Sequence, residues 1–319
     1  WGNSKFDMAK IAQGYTQDFS QASYKMRGFT NPSVMNYIES HDEERLMVEV
    51  ANGGKKTFTA QERIERMKMA AATFFTIPGP KMIWQFGELG YDVTINENGR
   101  TGAKPLKWTY AQDSERSKLL KVYQQLGVLK TSKPIFTSTD FTVGAIGAVK
   151  RNLLTKGSDY LLVIANPDIT SQAISATFPK TGLWYDYFSG KSFEVNNAEA
   201  KMNLLPGEFH LLTNVAWNAS DLKLVPWSIP DFNILGVESE SLALQVYPNP
   251  AQEYVKLEWN SDVAGEAVLH FVDSAGREIL QKNLLQISGK NTHSFSTQNL
   301  IKGVYFIQIN NIRTKLVVQ

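Results

Sequence analysis

The sequence predicts a multidomain protein in which an α/β part is followed by two all-β sandwiches. Two observations carry that prediction. In residues 1–135 short apolar runs alternate with amphipathic helical stretches, and from Phe141 onward the apolar period changes to that of strands. A third observation separates the β regions: residues 215–241 contain Pro226 and Pro230, show no clear periodicity, and read as a linker, free or lying against its neighbours. The resulting divisions are 1–135, 136–214, a linker over 215–241, and 242–319.

Composition narrows the function classes. With 319 residues, 43% of them hydrophobic and 20% charged, the chain can bury two or three cores. A formal net charge of +2 and no clustered Lys/Arg stripe argue against nucleic acid or an anionic membrane as a partner. The longest apolar runs fall short of a bilayer, so no transmembrane segment is expected. Zero Cys removes disulfides, thiolate metal sites and a Cys nucleophile, and the four His are scattered, which gives a His-based metal site no support. Trp1 is not an initiator Met, so the natural start is expected upstream, and no signal peptide is visible.

The elements follow in order. A modest helical stretch around Asp7 to Gln13 precedes the apolar run Val34 to Ile38, which ends abruptly in Glu39-Ser40-His41-Asp42-Glu43-Glu44-Arg45. Side chains of a buried strand avoid water, whereas these ionisable groups need water, a ligand or a partner, so the boundary suits a strand end facing a cleft. The same residues also suit an exposed charged loop. Thr59-Ala60-Gln61-Glu62 is a capping box. It opens a helix Gln61 to Phe75 with Ile64, Met67, Ala71 and Phe74 on the packing face, Arg63, Glu65, Arg66 and Lys68 mostly off it, and Pro78-Gly79-Pro80 as its stop. A second strand, Lys81 to Phe86, leads into a long polar loop through Tyr91, Asp92 and Asn96 to Arg100. A helix from Ser114 to Leu129 closes before Pro134.

Five strands are then expected: Phe141 to Val149, Tyr160 to Asn166, Ala173 to Phe178, Leu183 to Phe188 and Glu208 to Thr213. Trp184, Tyr185 and Tyr187 have the chemistry to stack on sugars, but core or inter-domain packing is the preferred reading. In the last region Val255, Leu257 and Trp259 share one face of the run Glu253 to Trp259. Val268 to Val272 and Glu278 to Leu284 flank a turn at Ser274-Ala275-Gly276-Arg277, and Val304 to Ile309 and Lys315 to Val318 complete a small Ig-like β-sandwich.

Three sets of motifs resemble known families. The run Val34 to Arg45, with its His41-Asp42 pair, resembles the fourth signature region of the alpha-amylase family, glycoside hydrolase family 13. Ile77-Pro78-Gly79-Pro80-Lys81-Met82-Ile83-Trp84-Gln85-Phe86-Gly87-Glu88-Leu89-Gly90 resembles that family's eighth strand, and Leu204-Leu205-Pro206-Gly207-Glu208-Phe209 its C-terminal β-sandwich. The resemblance implies that residues 1–135 are the C-terminal part of a (β/α)8 TIM barrel, incomplete and therefore an open arc. Trp1 would lie near the end of its sixth strand and Val34 to Ile38 would form its seventh, with the helices on the outer side.

The same resemblance assigns roles. A retaining glycosidase needs a nucleophilic carboxylate and a carboxylic acid roughly 5 Å apart, and the family adds a third carboxylate. Asp42 would be that transition-state stabiliser, His41 a substrate-binding residue, and Arg45 and Glu88 loop-supporting residues, Arg45 together with Glu44 through salt bridges. The nucleophilic Asp and the acid/base Glu belong to earlier strands whose signatures do not occur here, and Glu39, Glu43 and Glu44 match neither, so this stretch is expected to be inactive by itself. The implied substrates are α-1,4-glucans such as starch. Alternatives are a noncatalytic starch-binding or surface scaffold protein and, within the family, a transglycosylase or branched-glucan hydrolase. No cofactor is implied in this stretch, and calcium is admitted in the complete enzyme.

Finally, Val246-Tyr247-Pro248-Asn249-Pro250, Asp273 to Arg277, Gly303-Val304-Tyr305-Phe306 and Lys315 to Gln319 resemble the C-terminal sorting domain of the type IX (Por) secretion system. That implies export through the outer membrane to the medium or cell surface, with the secretion machinery as the partner of residues 242–319. A generic Ig-like or sugar-binding sandwich is the alternative.

Overall fold

The structure, a computed structural model, describes residues 1–230, 244–261, 264–273, 277–309 and 312–319. It divides into two compact units, Trp1–Asn233 and Ile234–Gln319. The expected turn residues Ser274, Ala275 and Gly276, and residues 231–241 of the expected linker, lie outside the described residues.

The first unit opens with β1 (Gly2–Asn3), α1 (Lys5–Ala12), β2 (Asn36–Tyr37), α2 (Leu46–Asn52), α3 (Ala60–Phe75), β3 (Lys81–Met82) and α4 (Ser114–Ser132). The three strands pair in parallel in the order β1-β2-β3, with Asn36 opposite both Gly2 and Lys81. Among the described residues neither outer strand has a further partner, which is the open arc that the motifs imply. The strands are shorter than expected: Val34, Met35, Ile38 and residues 83–86 lie outside them, although Met35 O accepts from the Gly2 N–H at 2.8 Å. Val34 and Ile38 are nevertheless buried with Ile77 against the helices, so burial, not pairing, explains their apolar character.

Helix α3 starts at the predicted capping box, with Thr59 accepting from the Glu62 N–H and Glu62 returning a bond to the Thr59 N–H. Its charged side corrects the expectation of an exposed face. Glu65, Arg66 and Lys68 are buried, Lys68 completely. Arg66 donates to Ala12 O at 3.0 Å and Pro167 O at 2.8 Å, and Lys68 donates to Glu65 at 2.8 Å and Leu224 O at 2.7 Å. A polar side that satisfies its donors in this way can be buried, and burial pulls Arg66 down to about 10. Helix α2 was not anticipated, because seven residues are too few to show a period.

Strands β4 (Asp140–Ile146), β5 (Val149–Lys156), β6 (Asp159–Ala165), β7 (Gln172–Ser175), β8 (Gly182–Asp186), β9 (Lys191–Val195), β10 (Lys201–Leu204) and β11 (Phe209–Thr213) follow. Six form an antiparallel sheet, β4-β5-β6-β11-β8-β9, and β10-β7 form a second. The single strand expected over Phe141 to Val149 is instead a hairpin turning at Gly147, whose φ is +58°. β6 is a continuous apolar run for a visible reason: Leu161, Val163 and Ala165 join the core with the helices, whereas Leu162 and Ile164 join the core containing Trp184, Phe178, Met202 and Leu204. Trp184 and Tyr187 are buried, as the packing reading requires.

Residues 215–230 of the expected linker lie against their neighbours in the first unit. Leu224 and Val225 are buried in the core of the first unit, Lys121 pairs with Asp221 at 2.7 Å, and Trp227 packs edge-on to Phe209 with ring centroids 5.2 Å apart.

The second unit contains β12 (Gln245–Tyr247), β13 (Tyr254–Ser261), β14 (Gly265–Asp273), β15 (Glu278–Gln286), β16 (Gly289–Ser296), β17 (Gly303–Ile309) and β18 (Ile312–Val318). They form two sheets, β12-β13-β16 and β15-β14-β17-β18. Val255, Leu257 and Trp259 face Ala267, Leu269, Phe271, Ile307 and Leu316 in one core, the alternation read from sequence. Asn249 accepts from the Val317 N–H at 2.9 Å and donates to Lys315 O at 2.7 Å, which ties the Tyr-Pro-Asn-Pro segment to the last strand.

Candidate functional site

The polar cluster follows the C-terminal end of β2, and its geometry is set from beneath by Glu39. This carboxylate is buried. It accepts from the Leu46 N–H at 2.8 Å, capping α2, and lies 3.3 Å from Arg45 Nη2. Burial pushes the Glu39 carboxyl up, and Arg45 and the Leu46 N–H pull it part of the way back. Arg45 in turn donates to Gln85 O at 2.7 Å, and its guanidinium lies over the Tyr91 ring at 4.8 Å. The loop after β3 is thereby held against the loop after β2. Gly87 completes the joint: a Cβ there would fall 2.2 Å from Glu39 Oε2, so only glycine lets the carboxylate approach.

Around this base the remaining side chains tie neighbouring loops. Asn3, at the end of β1, donates to Glu43 at 2.6 Å. Ser40 Oγ contacts the Glu43 carboxylate and accepts from the Asp42 N–H. Glu44 makes no salt bridge among the described residues; its carboxylate accepts from Thr94 Oγ1 at 2.6 Å and from the Ile95 and Arg45 N–H groups at 3.0 and 2.9 Å. Arg100 donates to the Asp42 carbonyl.

His41 and Asp42 stand on this platform with side chains 70% and 72% exposed and 3.3 Å apart. The His41 ring lies 5.6 Å from the half-buried Trp84 ring. Both residues line a cavity of about 420 Å³, together with Arg45, Trp84, Arg100 and Lys104. The wall therefore offers a carboxylate acceptor, an imidazole, an indole face and cationic donors. Such a set suits a polyhydroxylated ligand with apolar ring faces.

Of the residues singled out from sequence, the structure brings His41, Asp42 and Arg45 to one cavity. Glu88 is half-buried, does not line the cavity, and makes no side-chain hydrogen bond or ion pair among the described residues; the contacts that join the two loops come from Glu39, Arg45 and Gly87. Sequence reasoning left out Glu39, Trp84, Arg100 and Lys104. Trp84 and Arg100 lay inside the stretches already quoted, but nothing local distinguishes a wall residue from a core one. No group of three or more His, Asp or Glu side chains suited to a metal converges among the described residues.

Comparison with known proteins adds two findings. Residues 245–319 match the family described as the secretion system C-terminal sorting domain. The chain carries a sorting domain. This sorting domain directs export by the type IX system to the cell surface or medium, and no helix among the described residues is long and apolar enough to cross a membrane. No curated protein matches the chain significantly.

The second finding concerns the fold. An alpha-amylase from Geobacillus thermoleovorans complexed with acarbose aligns over 65% of this chain and 46% of its own, at 12% identity and a TM-score of 0.53. AmyP in complex with maltose aligns over 68% and 50%, at 16% identity and a TM-score of 0.51. CldA, a cyclomaltodextrin glucanotransferase, aligns over 65% and 43%, at 16% identity and a TM-score of 0.50. The chain thus shares the fold of amylase-family structures and spans half of their length or less.

Proposed function

We propose that the first unit supplies one wall of the glucan-binding cleft of an alpha-amylase-type retaining glycoside hydrolase, which the sorting domain takes out of the cell. The observation that carries this reading is the His41-Asp42 pair at the C-terminal ends of parallel strands, beside Trp84 at the mouth of a cavity. In barrels of this kind the active site lies at that end. A glucose ring presents hydroxyls at its rim and C–H groups on its faces, which Asp42, His41 and Trp84 complement. As the glycosidic bond breaks, positive charge develops on the ring, and the Asp42 carboxylate then binds more strongly than in the ground state. His41 orients the same ring by hydrogen bonding.

The substrate we assign is an α-1,4-glucan. Hydrolysis requires a nucleophile and an acid that no motif of this chain provides, so the purified chain should bind maltoheptaose without turning over a chromogenic maltooligosaccharide. In an enzyme that joins this wall to those two carboxylates, Asp42→Asn should lower kcat by about a thousandfold. Near-normal turnover by that variant would remove Asp42 from the mechanism. Turnover by the isolated chain would show that the missing carboxylates are present after all.

A further inference from the structure

The loop that carries Arg100 is folded around an ammonium. Lys104 Nζ lies 2.9 Å from Glu97 O, 2.7 Å from Gly99 O, 2.8 Å from Gly102 O and 3.4 Å from Arg100 O. An ammonium has three N–H donors, so three carbonyls saturate it and the fourth sits at the edge of bonding distance. Oxygen dipoles converging on one point form the kind of donor set that hard cations take; here the cation is tethered to the chain.

The backbone is bent to make this cradle. Asn98 and Gly99 are both left-handed, with φ of +55° and +78°, and a Cβ at Gly102 would fall 1.9 Å from Asn98 O. Asn98 Nδ2 closes the loop on Ala103 O at 3.0 Å. From the same loop Arg100 reaches the Asp42 carbonyl, and Lys104, Arg100 and Asp42 all line the one cavity.

We propose that Lys104 is a positioning residue for Asp42. Its ammonium gathers the 97–102 carbonyls, the gathered loop sets Arg100, and Arg100 holds the main chain from which the Asp42 carboxylate projects. Without the ammonium, the carbonyl dipoles point at one another and the loop opens, unless a free cation of similar size enters. The link itself is geometric; only its consequence for sugar binding rests on the function proposed above.

Hydrogen exchange of the full chain, read by mass spectrometry, tests the link. In Lys104→Ala, exchange should rise roughly tenfold, as expected for loss of charged hydrogen bonds, over residues 96–103 and over residues 40–44. Ammonium chloride should reverse both changes, whereas tetramethylammonium chloride at equal ionic strength, too large for the cradle, should reverse neither. Arg100→Met should loosen 40–44 alone. Unchanged exchange at 40–44 in either variant would overturn the positioning role. Loosening that ammonium leaves in place, or that tetramethylammonium reverses equally, would overturn the cradle. Maltoheptaose titration of the unaltered chain keeps the two proposals apart: absence of binding would defeat the glucan reading and leave the Lys104–Arg100–Asp42 link standing.

Discussion

Two regions of the first unit handle charge in opposite ways. At the cleft wall, His41 and Asp42 are exposed in the loop that follows a two-residue strand, and among the described residues the small parallel sheet is open at its edges. In the β-sandwich, His210 on β11 is fully buried between two carboxylates, with Nδ1 2.5 Å from Asp186 and Nε2 2.7 Å from Glu208. Burial alone would push its pKa down, but the hydrogen bonds to Asp186 and Glu208 outweigh burial and hold it up at about 9. The difference separates two uses of the same side-chain pairing. An exposed pair contributes little to stability and stays available to a ligand, whereas a buried, fully bonded one is available to nothing and is costly to break.

The largest expected effect in this comparison comes from breaking the buried network. Asp186→Ala leaves Glu208 and His210 facing an empty place and should destabilise the first unit by about 3–5 kcal/mol, measured by denaturant unfolding. The network also has a pH signature. The folded pKa of His210 lies above its unfolded value of 6.5, so its contribution is complete below about pH 6.5 and is lost as pH rises through about 9. Unfolding midpoints should therefore fall on the alkaline side, and Asp186→Ala should flatten that fall. An unchanged alkaline profile in the variant would assign the loss to other groups.

A smaller effect is expected where the cleft wall borrows the buried strategy. Gly87→Ala places a methyl group against the Glu39 carboxylate and should cost about 1–3 kcal/mol. It should also weaken maltoheptaose binding, because Arg45 and the loop after β3 must shift with Glu39. A variant as stable and as tight-binding as the parent would show that Glu39 moves freely, and would place it outside the joint. The smallest effect on the cleft should follow deletion of residue 242 onward. Maltoheptaose affinity should remain as it was while export by a type IX-competent host stops, and normal export of the truncated protein would refute the sorting role.

What could be read without coordinates was whatever depends on neighbours in the chain. The Thr59-Glu62 capping box, the stripes of α3 and α4, the alternation Val255-Leu257-Trp259 and the ordered motifs around His41-Asp42 are all local patterns; they were enough to expect helices followed by β-sandwiches, and the resemblance of the motifs to a known family implied the arc of parallel strands. Tertiary structure decided the rest, because it depends on what approaches from far away. Lys68 looks like a solvated residue until Leu224 O arrives to accept from it, and Arg66 until Pro167 O does. The hairpin at Gly147 and the docking of residues 215–230 follow from the sheets and core they join. At the site, Glu39 carries no local mark; its role appears only when Arg45, Leu46 and Gly87 close around it. The four carbonyls around Lys104 lie within eight residues of it, yet a sequence names side chains and leaves unstated where the main-chain oxygens point.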